Sequence, residues 1–254
     1  MIVFDLDGTL TETKSPIDRE MSKLLERLLA VKRIAIIGGG KYGLFKTQFI
    51  KAFKVPKALL HNLFLFPTTA TAYYRYRSGW KNVYSHPLTK AERTHIKKAF
   101  KQALRDMEYV HPAKTYGRVI EDRGTQVTWS ALGQEVVAVL GKKKGVALKE
   151  KWKREQTPVK QELARRLSRL LPDLEVRAAG HTSVDVTKKG IDKAFGLRQI
   201  EKYLHVKIKK MLFVGDAIFP GGNDYAVVRT GIDYVSVTGP KETKKLIQSI
   251  LSRS

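Results

Sequence analysis

The sequence predicts an α/β protein with a mainly parallel sheet, interrupted by an inserted α+β module. Three observations carry that reading. Short, nearly continuous apolar runs recur at "MIVFDL" (1–6), "RIAII" (33–37), "NLFLF" (62–66), "KMLFVG" (210–215) and "YVSV" (234–237). Such runs suit strands buried on both faces of a parallel sheet. Between most of them lie segments whose apolar residues recur at helical spacing. The middle of the chain instead holds alternating β-prone segments flanked by long polar helices.

In chain order, the first strand leads into a helix over about 16–31, where Ile17, Met21, Leu24, Leu25 and Leu28 share a face. Further helices are expected over about 44–53, 192–204 and 241–251. "GRVIEDRGTQVTWSAL" (117–132) sets an Arg-Gly turn between two alternating segments and reads as a hairpin. "EVRAAGHTSVDVT" (175–187) adds two short β runs around Gly180. Helices over about 88–107 and 158–171 flank these strands. The boundaries fall near "RSGWKN" (77–82) and "TKKGID" (187–192), which gives core segments over 1–80 and 188–254 and an inserted module over 81–187. Tyr73, Tyr74 and Tyr76 precede the first boundary and are read as packing at the hinge rather than as a stacking platform.

Composition narrows the function classes. The 254-residue chain has no cysteine, which excludes disulfides, thiolate metal sites and a cysteine nucleophile. No apolar run approaches the ~18 residues of a membrane span, and the first strand starts at Ile2, so a cytoplasmic protein without a membrane partner is expected. The 48 Lys and Arg against 24 Asp and Glu give a net charge of +24. No acidic residue occurs between Glu26 and Glu92, and over 141–169 eleven basic residues face three acidic ones. A polyanion- or nucleic-acid-binding function is therefore weighed. No zinc finger, helix-turn-helix spacing or basic-aromatic motif supports it, and a solvated basic face is the preferred reading. The six histidines share no metal-ligand spacing; His181, beside Ser183, is read as structural, with a substrate contact as the alternative.

Two strand ends carry the chemistry. "DLDGTLT" follows the first strand and "GDAIFPGGND" the strand at 210–215, so Asp5, Asp7 and Asp216 are expected at the carboxyl ends of parallel strands, where ligands gather. Strand alternation is expected to point Asp5 and Asp7 to one side while Leu6 packs away. Clustered carboxylates repel one another without a cation, and an all-oxygen set suits Mg²⁺. Turn- and helix-capping acids are the competing reading, which would win for an isolated Asp-Gly.

These motifs resemble those of the haloacid dehalogenase (HAD) superfamily of phosphotransferases, with "GIDKAFGL" supplying a lysine between them in the expected order. The resemblance spans the chain, and Pro-Gly-Gly-Asn-Asp is similar to the signature of the eukaryotic-type phosphomannomutase group. It implies a Rossmann-like three-layer core with an inserted α+β cap. It also implies a nucleophile at Asp5, a general acid and base at Asp7, and a lysine at Lys193 that neutralises the phosphorylated aspartate. Mg²⁺ would be held by Asp5, Asp216 and the Asp7 carbonyl, with Asn223 and Asp224 fixing the metal shell. Gly221 and Gly222 would let the loop turn beneath it.

"GGGKYG" (38–43) fits GxGxxG, but no acidic residue about 20 positions on is present to bind a ribose. The preferred reading is a phosphate loop: by the HAD resemblance it is the family's second motif, which implies that Gly38 and Gly39, as in the phosphomannomutase group, offer backbone N–H groups to the phosphate. In the inserted module the resemblance implies that Arg123 holds a remote phosphate and that Ser183 and Asp185 contact the sugar phosphate. Gln126 and Thr128 occupy neighbouring positions with different residue types. Phosphomannomutases carry further arginines where this chain has Gln134 and, nearby, Gly141. Gln cannot replace a bidentate arginine clamp, and Lys142, Lys143 and Lys144 would supply charge but not its planar fork. The expected function is therefore a phosphatase acting on a phosphorylated sugar, with interconversion of mannose 1-phosphate and mannose 6-phosphate as the alternative. A homodimer through the cap is a further expectation from the resemblance.

Overall fold

The chain begins with β1 (Ile2–Asp5), α1 (Arg19–Val31), β2 (Ile34–Ile37), the short helix α2 (Tyr42–Phe45), β3 (Leu63–Phe66), the one-turn segment α3 (Pro67–Ala70), β4 (Ala72–Tyr76) and β5 (Trp80–Ser85). It continues through α4 (Lys90–Asp106), β6 (Ile120–Asp122), β7 (Val127–Ser130), α5 (Val136–Leu170), β8 (Leu174–Ala179) and β9 (Ser183–Lys188). It ends with α6 (Lys193–Leu204), β10 (Leu212–Gly215), β11 (Asp233–Ser236) and α7 (Pro240–Leu251). The computed structural model describes residues 1–12 and 15–253. Met1–Ser85 and Asp192–Ser254 form one compact unit, and His86–Ile191 forms another.

The first unit holds a seven-stranded sheet in the order β11-β10-β1-β2-β3-β4-β5. Neighbours from β11 to β3 pair in parallel, and β4 and β5 add an antiparallel edge. Alternation sorts the side chains into layers. Ile2, Phe4, Ile34, Ile36, Leu63, Leu65 and Val214 pack with α1 and with Ile247 of α7. Val3, Ala35, Ile37, Phe64, Phe66 and Phe213 pack on the other face with Leu197, Ile200 and Leu204 of α6. The unbroken apolar runs arise because both faces are covered. Asp5 shares the parity of Val3 and so belongs to the face that α6 covers.

The segment read as a boundary at 77–82 is instead the turn of the β4–β5 hairpin. The residues on either side are rich in aromatic strand formers, and Ser78-Gly79 lies in the turn between them. The tyrosines taken for hinge packing therefore belong to the sheet. Tyr73 stacks on Phe66 with ring centroids 4.6 Å apart, and Tyr74 stacks on Tyr42 at 3.8 Å. The units change over after Ser85 and after Ile191, a few residues beyond the expected 80 and 187.

The second unit contains an antiparallel sheet in the order β6-β7-β9-β8. Val127, Trp129, Val184 and Val186 form its apolar face, packed with Ile96, Phe100 and Leu104 of α4 and Trp152, Leu163 and Leu167 of α5. Alternation leaves Thr128 and Asp185, directly paired across β7 and β9, on the other face. The basic run lies on α5, which is interrupted at Gly141 (φ 75°) and continues through Pro158. A helix starting at 158 was expected because proline favours a first turn. The stretch before it is dominated by Lys, Arg, Glu and Gln, which are good helix formers, and the helix extends back accordingly. Among the described residues no helix is long and apolar enough to cross a membrane.

Trp129 is fully buried, and its indole Nε1 has no hydrogen-bond partner among the described residues. Trp129→Ala is expected to cost about 3–5 kcal/mol in urea unfolding. Trp129→Phe keeps much of the ring packing and removes the unpaired N–H, so its loss is expected to be clearly smaller.

Candidate active site

The strand order builds the site. β1 and β10 are hydrogen-bonded neighbours, so Asp5 at the end of one lies beside Asp216 just past the end of the other. The loop after β10 returns through Gly222, where an added Cβ would lie 2.1 Å from the Ala217 carbonyl oxygen. That close approach is sealed by Asp224, whose N–H donates to Ala217 O (3.2 Å) and whose Oδ2 accepts from Ala217 N–H (3.2 Å). Asp5, Asp216 and Asp224 then present carboxylate oxygens within 4.8 Å of one another. Gly8 permits the approach from the other side. Its φ is +94°, and a Cβ there would lie 2.5 Å from Asp216 Oδ2.

Lys193 enters this cluster from the first turn of α6 and donates to both Asp5 and Asp224. Asp192 fixes that turn: its Oδ1 accepts from Phe195 N–H at 2.7 Å, and Arg229 bonds to its other oxygen. Burial alone would lower the Lys193 ammonium, but the attraction of Asp224 and Asp5 outweighs it and holds the group above its ordinary value. Burial pushes the Asp5 carboxyl well above its ordinary value; Lys193 opposes that rise, and Asp224 and Asp216 add to it. The two directions are compatible, because Lys193 is shared between two carboxylates and neutralises neither fully. Three carboxylates against one ammonium leave a formal charge of −2 in this cluster. That charge and an all-oxygen donor set fit a divalent hard cation. Asn223 donates to Asp224 Oδ1 (3.3 Å).

Asp7 departs from the expected geometry. β1 ends at Asp5, and Asp7 sits in the following turn, bridged to Thr11, so strand alternation no longer governs it. Its Oδ1 accepts from Gln48 Nε2 at 2.9 Å, and its carboxylate lies outside the three-carboxylate set. Gln48 was not singled out from sequence, yet it carries a signal: it lies three positions after buried Phe45 and so falls on the inward face of its helix. Gly38 also departs from expectation. Its N–H donates to Phe66 O (3.2 Å), so that amide is committed to the sheet rather than offered to phosphate. Thr68 and Thr69 adopt left-handed φ of 49° and 56° and donate their N–H groups to Gly40 O and Gly38 O, both at 2.9 Å. The Gly38–Gly40 loop is thereby tied down against α3.

The inserted unit gathers a second polar set. Gln126 Nε2 donates to Thr128 Oγ1 (2.8 Å), which donates to Asp185 Oδ1 (2.7 Å). Ser183 pairs in register with Ser130 on the same sheet. The Arg123 guanidinium is engaged by Glu121 (2.8 Å) and by Gln134 Oε1 (3.0 Å). Lys160 Nζ donates to Gly180 O at 2.7 Å. Burial, then nearby Lys153, lowers Lys160 to about 8 against the pull of Asp185. Burial and then Lys149, Lys153 and Lys160 push His181 down to about 4.

A family model described as eukaryotic phosphomannomutase matches residues 21–253, which takes in nearly the whole chain. The chain belongs to the eukaryotic phosphomannomutase family. It is 26% identical over 265 residues to a probable phosphomannomutase of Caenorhabditis elegans, covering 99% of this chain and 95% of that one. Among solved structures it resembles an IMP-nucleotidase of Plasmodium falciparum (TM-score 0.70, 16% identity, 99% of this chain and 68% of that one). It also resembles a haloacid dehalogenase-like hydrolase of Bacteroides thetaiotaomicron (TM-score 0.60, 16% identity, 98% of both chains). This phosphomannomutase-family chain thus shares its fold with a haloacid dehalogenase-like hydrolase, and its family marks it as a phosphotransferase enzyme.

His181 supplies a pH test of the inserted unit. Its folded pKa lies below the ordinary histidine value, so the unfolded chain takes up a proton first as pH falls from about 6.5 toward 4. Its contribution to stability is present above that window and is lost through it. Wild type is expected to lose about 1–2 kcal/mol more than His181→Gln between pH 7 and pH 5, measured by urea unfolding at each pH.

Proposed function

We propose that this chain is a Mg²⁺-dependent phosphatase that cleaves a phosphorylated sugar through a phosphoaspartyl intermediate. The observation that carries the reading is Asp5 at the end of β1, bonded to the buried Lys193 and grouped with Asp216 and Asp224. In the first transfer an Asp5 oxygen attacks phosphorus, the ester bond breaks, and Asp7 protonates the departing sugar oxygen. In the second, Asp7 takes a proton from the water that attacks the phosphoaspartate, which releases inorganic phosphate and restores Asp5. Lys193 offsets the charge on the phosphorylated aspartate. Mg²⁺ would be held by Asp5, Asp216 and the Asp7 backbone carbonyl, with Asp224 and Asn223 steadying those ligands. When bound, it supplies charge stabilisation for the transferring phosphoryl group.

Gln134 favours hydrolysis over isomerisation. A mutase must keep a bisphosphorylated sugar bound until its second transfer, and several arginines suit that task. Here the residue beside Arg123 is a neutral amide that accepts one of the guanidinium's hydrogen bonds. Interconversion of mannose 1-phosphate and mannose 6-phosphate is the second reading, favoured by the family and by relatives named phosphomannomutase. Arg123, Ser183 and Asp185 would contact the substrate in either case.

The test is an assay with Mg²⁺ on mannose 1-phosphate seeded with hexose 1,6-bisphosphate, following inorganic phosphate and mannose 6-phosphate together. Phosphate release without isomer is expected, and Asp5→Asn is expected to lower it by at least about a thousandfold. Mannose 6-phosphate as the main product would establish the mutase instead. Turnover that survives Asp5→Asn would remove the phosphoaspartyl reading.

A further inference from the structure

We propose that Gln48 is a positioning residue for Asp7, holding its carboxyl group in the orientation from which it reaches the leaving oxygen during the first transfer. The proposal rests on Asp7 being the proton donor in the function proposed above.

Asp7 needs such a partner. It lies past the last residue of β1, in a turn where the strand ladder no longer fixes its direction, and its side chain is only partly buried. Gln48 is 2% exposed and meets it with Nε2 at 2.9 Å from Oδ1. The backbone of Gln48 is anchored as well, because its carbonyl accepts from Ile17 N–H at 2.9 Å. The amide is therefore held from the main chain on one side of the "DLDGTLT" loop and bonded to a side chain within it.

Local structure aims this side chain. After α2 the chain makes a π-helical turn, Lys46–Ile50, closed by Lys51 N–H donating to Lys46 O at 2.9 Å. A π turn inserts an extra residue into a helical path and resets the direction of the side chains on it, and such turns recur at functional sites. Phe45 and Phe49, on either side of Gln48, are both fully buried in the core layer that includes α1. A residue placed there for packing would be apolar. Gln48 is instead a buried amide whose Oε1 has no hydrogen-bond partner among the described residues. An amide oxygen left unpaired in the interior is a cost that Leu or Met would avoid. The bond to Asp7 is what the amide gains in exchange. It is a directional contact that adds no charge beside the carboxyl group, unlike the ammonium that meets Asp5.

The test separates orientation of a proton donor from general support of the site. The quantity kcat/KM reports the first transfer, and an alkyl phosphate needs its leaving oxygen protonated whereas p-nitrophenyl phosphate does not. Wild type, Gln48→Leu and Asp7→Asn are compared on mannose 6-phosphate and on p-nitrophenyl phosphate, in saturating Mg²⁺. Gln48→Leu is expected to lower kcat/KM about 10- to 100-fold for mannose 6-phosphate and less than about threefold for p-nitrophenyl phosphate. Asp7→Asn is expected to show the same selectivity, more strongly. Equal losses on both substrates in Gln48→Leu, with Asp7→Asn still selective, would overturn the role of Gln48 and leave Asp7 in place. Equal losses in Asp7→Asn would overturn the proton-donor assignment and this proposal with it. If wild type hydrolyses p-nitrophenyl phosphate but not mannose 6-phosphate, the sugar assignment fails and glycerol phosphate serves as the alkyl ester. Should Gln48→Leu fail to fold by circular dichroism, the similarly shaped Gln48→Glu is read by the same ratio.

Discussion

One ammonium group held between two carboxylates organises the core unit. Lys193 meets Asp5 from β1 and Asp224 from the loop after β10, all three with little exposure to solvent. A buried cation of this kind is tolerable only with its partners in place, and removing one partner leaves an uncompensated charge in the interior. The surrounding structure meets that demand. Asp192 and Arg229 fix the first turn of α6, the apolar side of α6 docks the helix on the sheet, and parallel pairing of β1 with β10 brings the acidic strand ends together. Gly8 is the small residue that lets the first loop come up against Asp216.

The charge distribution is divided by scale. The chain as a whole carries +24, whereas the cluster at the strand ends is formally −2. A basic surface raises the local concentration of phosphorylated small molecules through long-range attraction. The acidic cluster acts at short range, where it suits a divalent cation that in turn tolerates phosphate oxygens. The same chain thus combines a net positive charge, which acts on anions at a distance, with an acidic cluster whose donor set suits a divalent cation.

The strands carrying Asp5 and Asp216 were legible in the sequence because each is a short apolar run with both faces buried, and the acids follow directly in the chain. Lys193 was legible through its place in a family-like segment, and the structure joins it to Asp5 across 188 positions. What escaped the sequence depends on local backbone turns. The β4–β5 hairpin was hidden because aromatic residues serve equally well in packing clusters and strands, so the turn at Ser78-Gly79 looked like a linker. The separation of Asp7 from Asp5 follows from β1 stopping at Asp5, an end-point set by pairing with β2 rather than by residue type. The commitment of the Gly38 amide depends on Phe66, a partner that no spacing rule names. Charge drew attention to the basic run, while the helix-forming character of the same residues determined its structure.

The interleaved chain path has a consequence for how the protein comes into being on the ribosome. The core unit is assembled from a first segment ending at Ser85 and a last one starting at Asp192, whereas the inserted unit is one uninterrupted stretch. The inserted unit can thus complete its own hydrophobic cluster while the final strands are still unsynthesised. β1 remains an unfilled sheet edge through that interval, because its neighbour β10 is made near the end. Folding of the insertion brings its two ends within one compact body and shortens the loop that the core must close. Lys193 and the acids after it are among the late arrivals, so the nascent chain carries Asp5 long before the groups that surround it in the folded core.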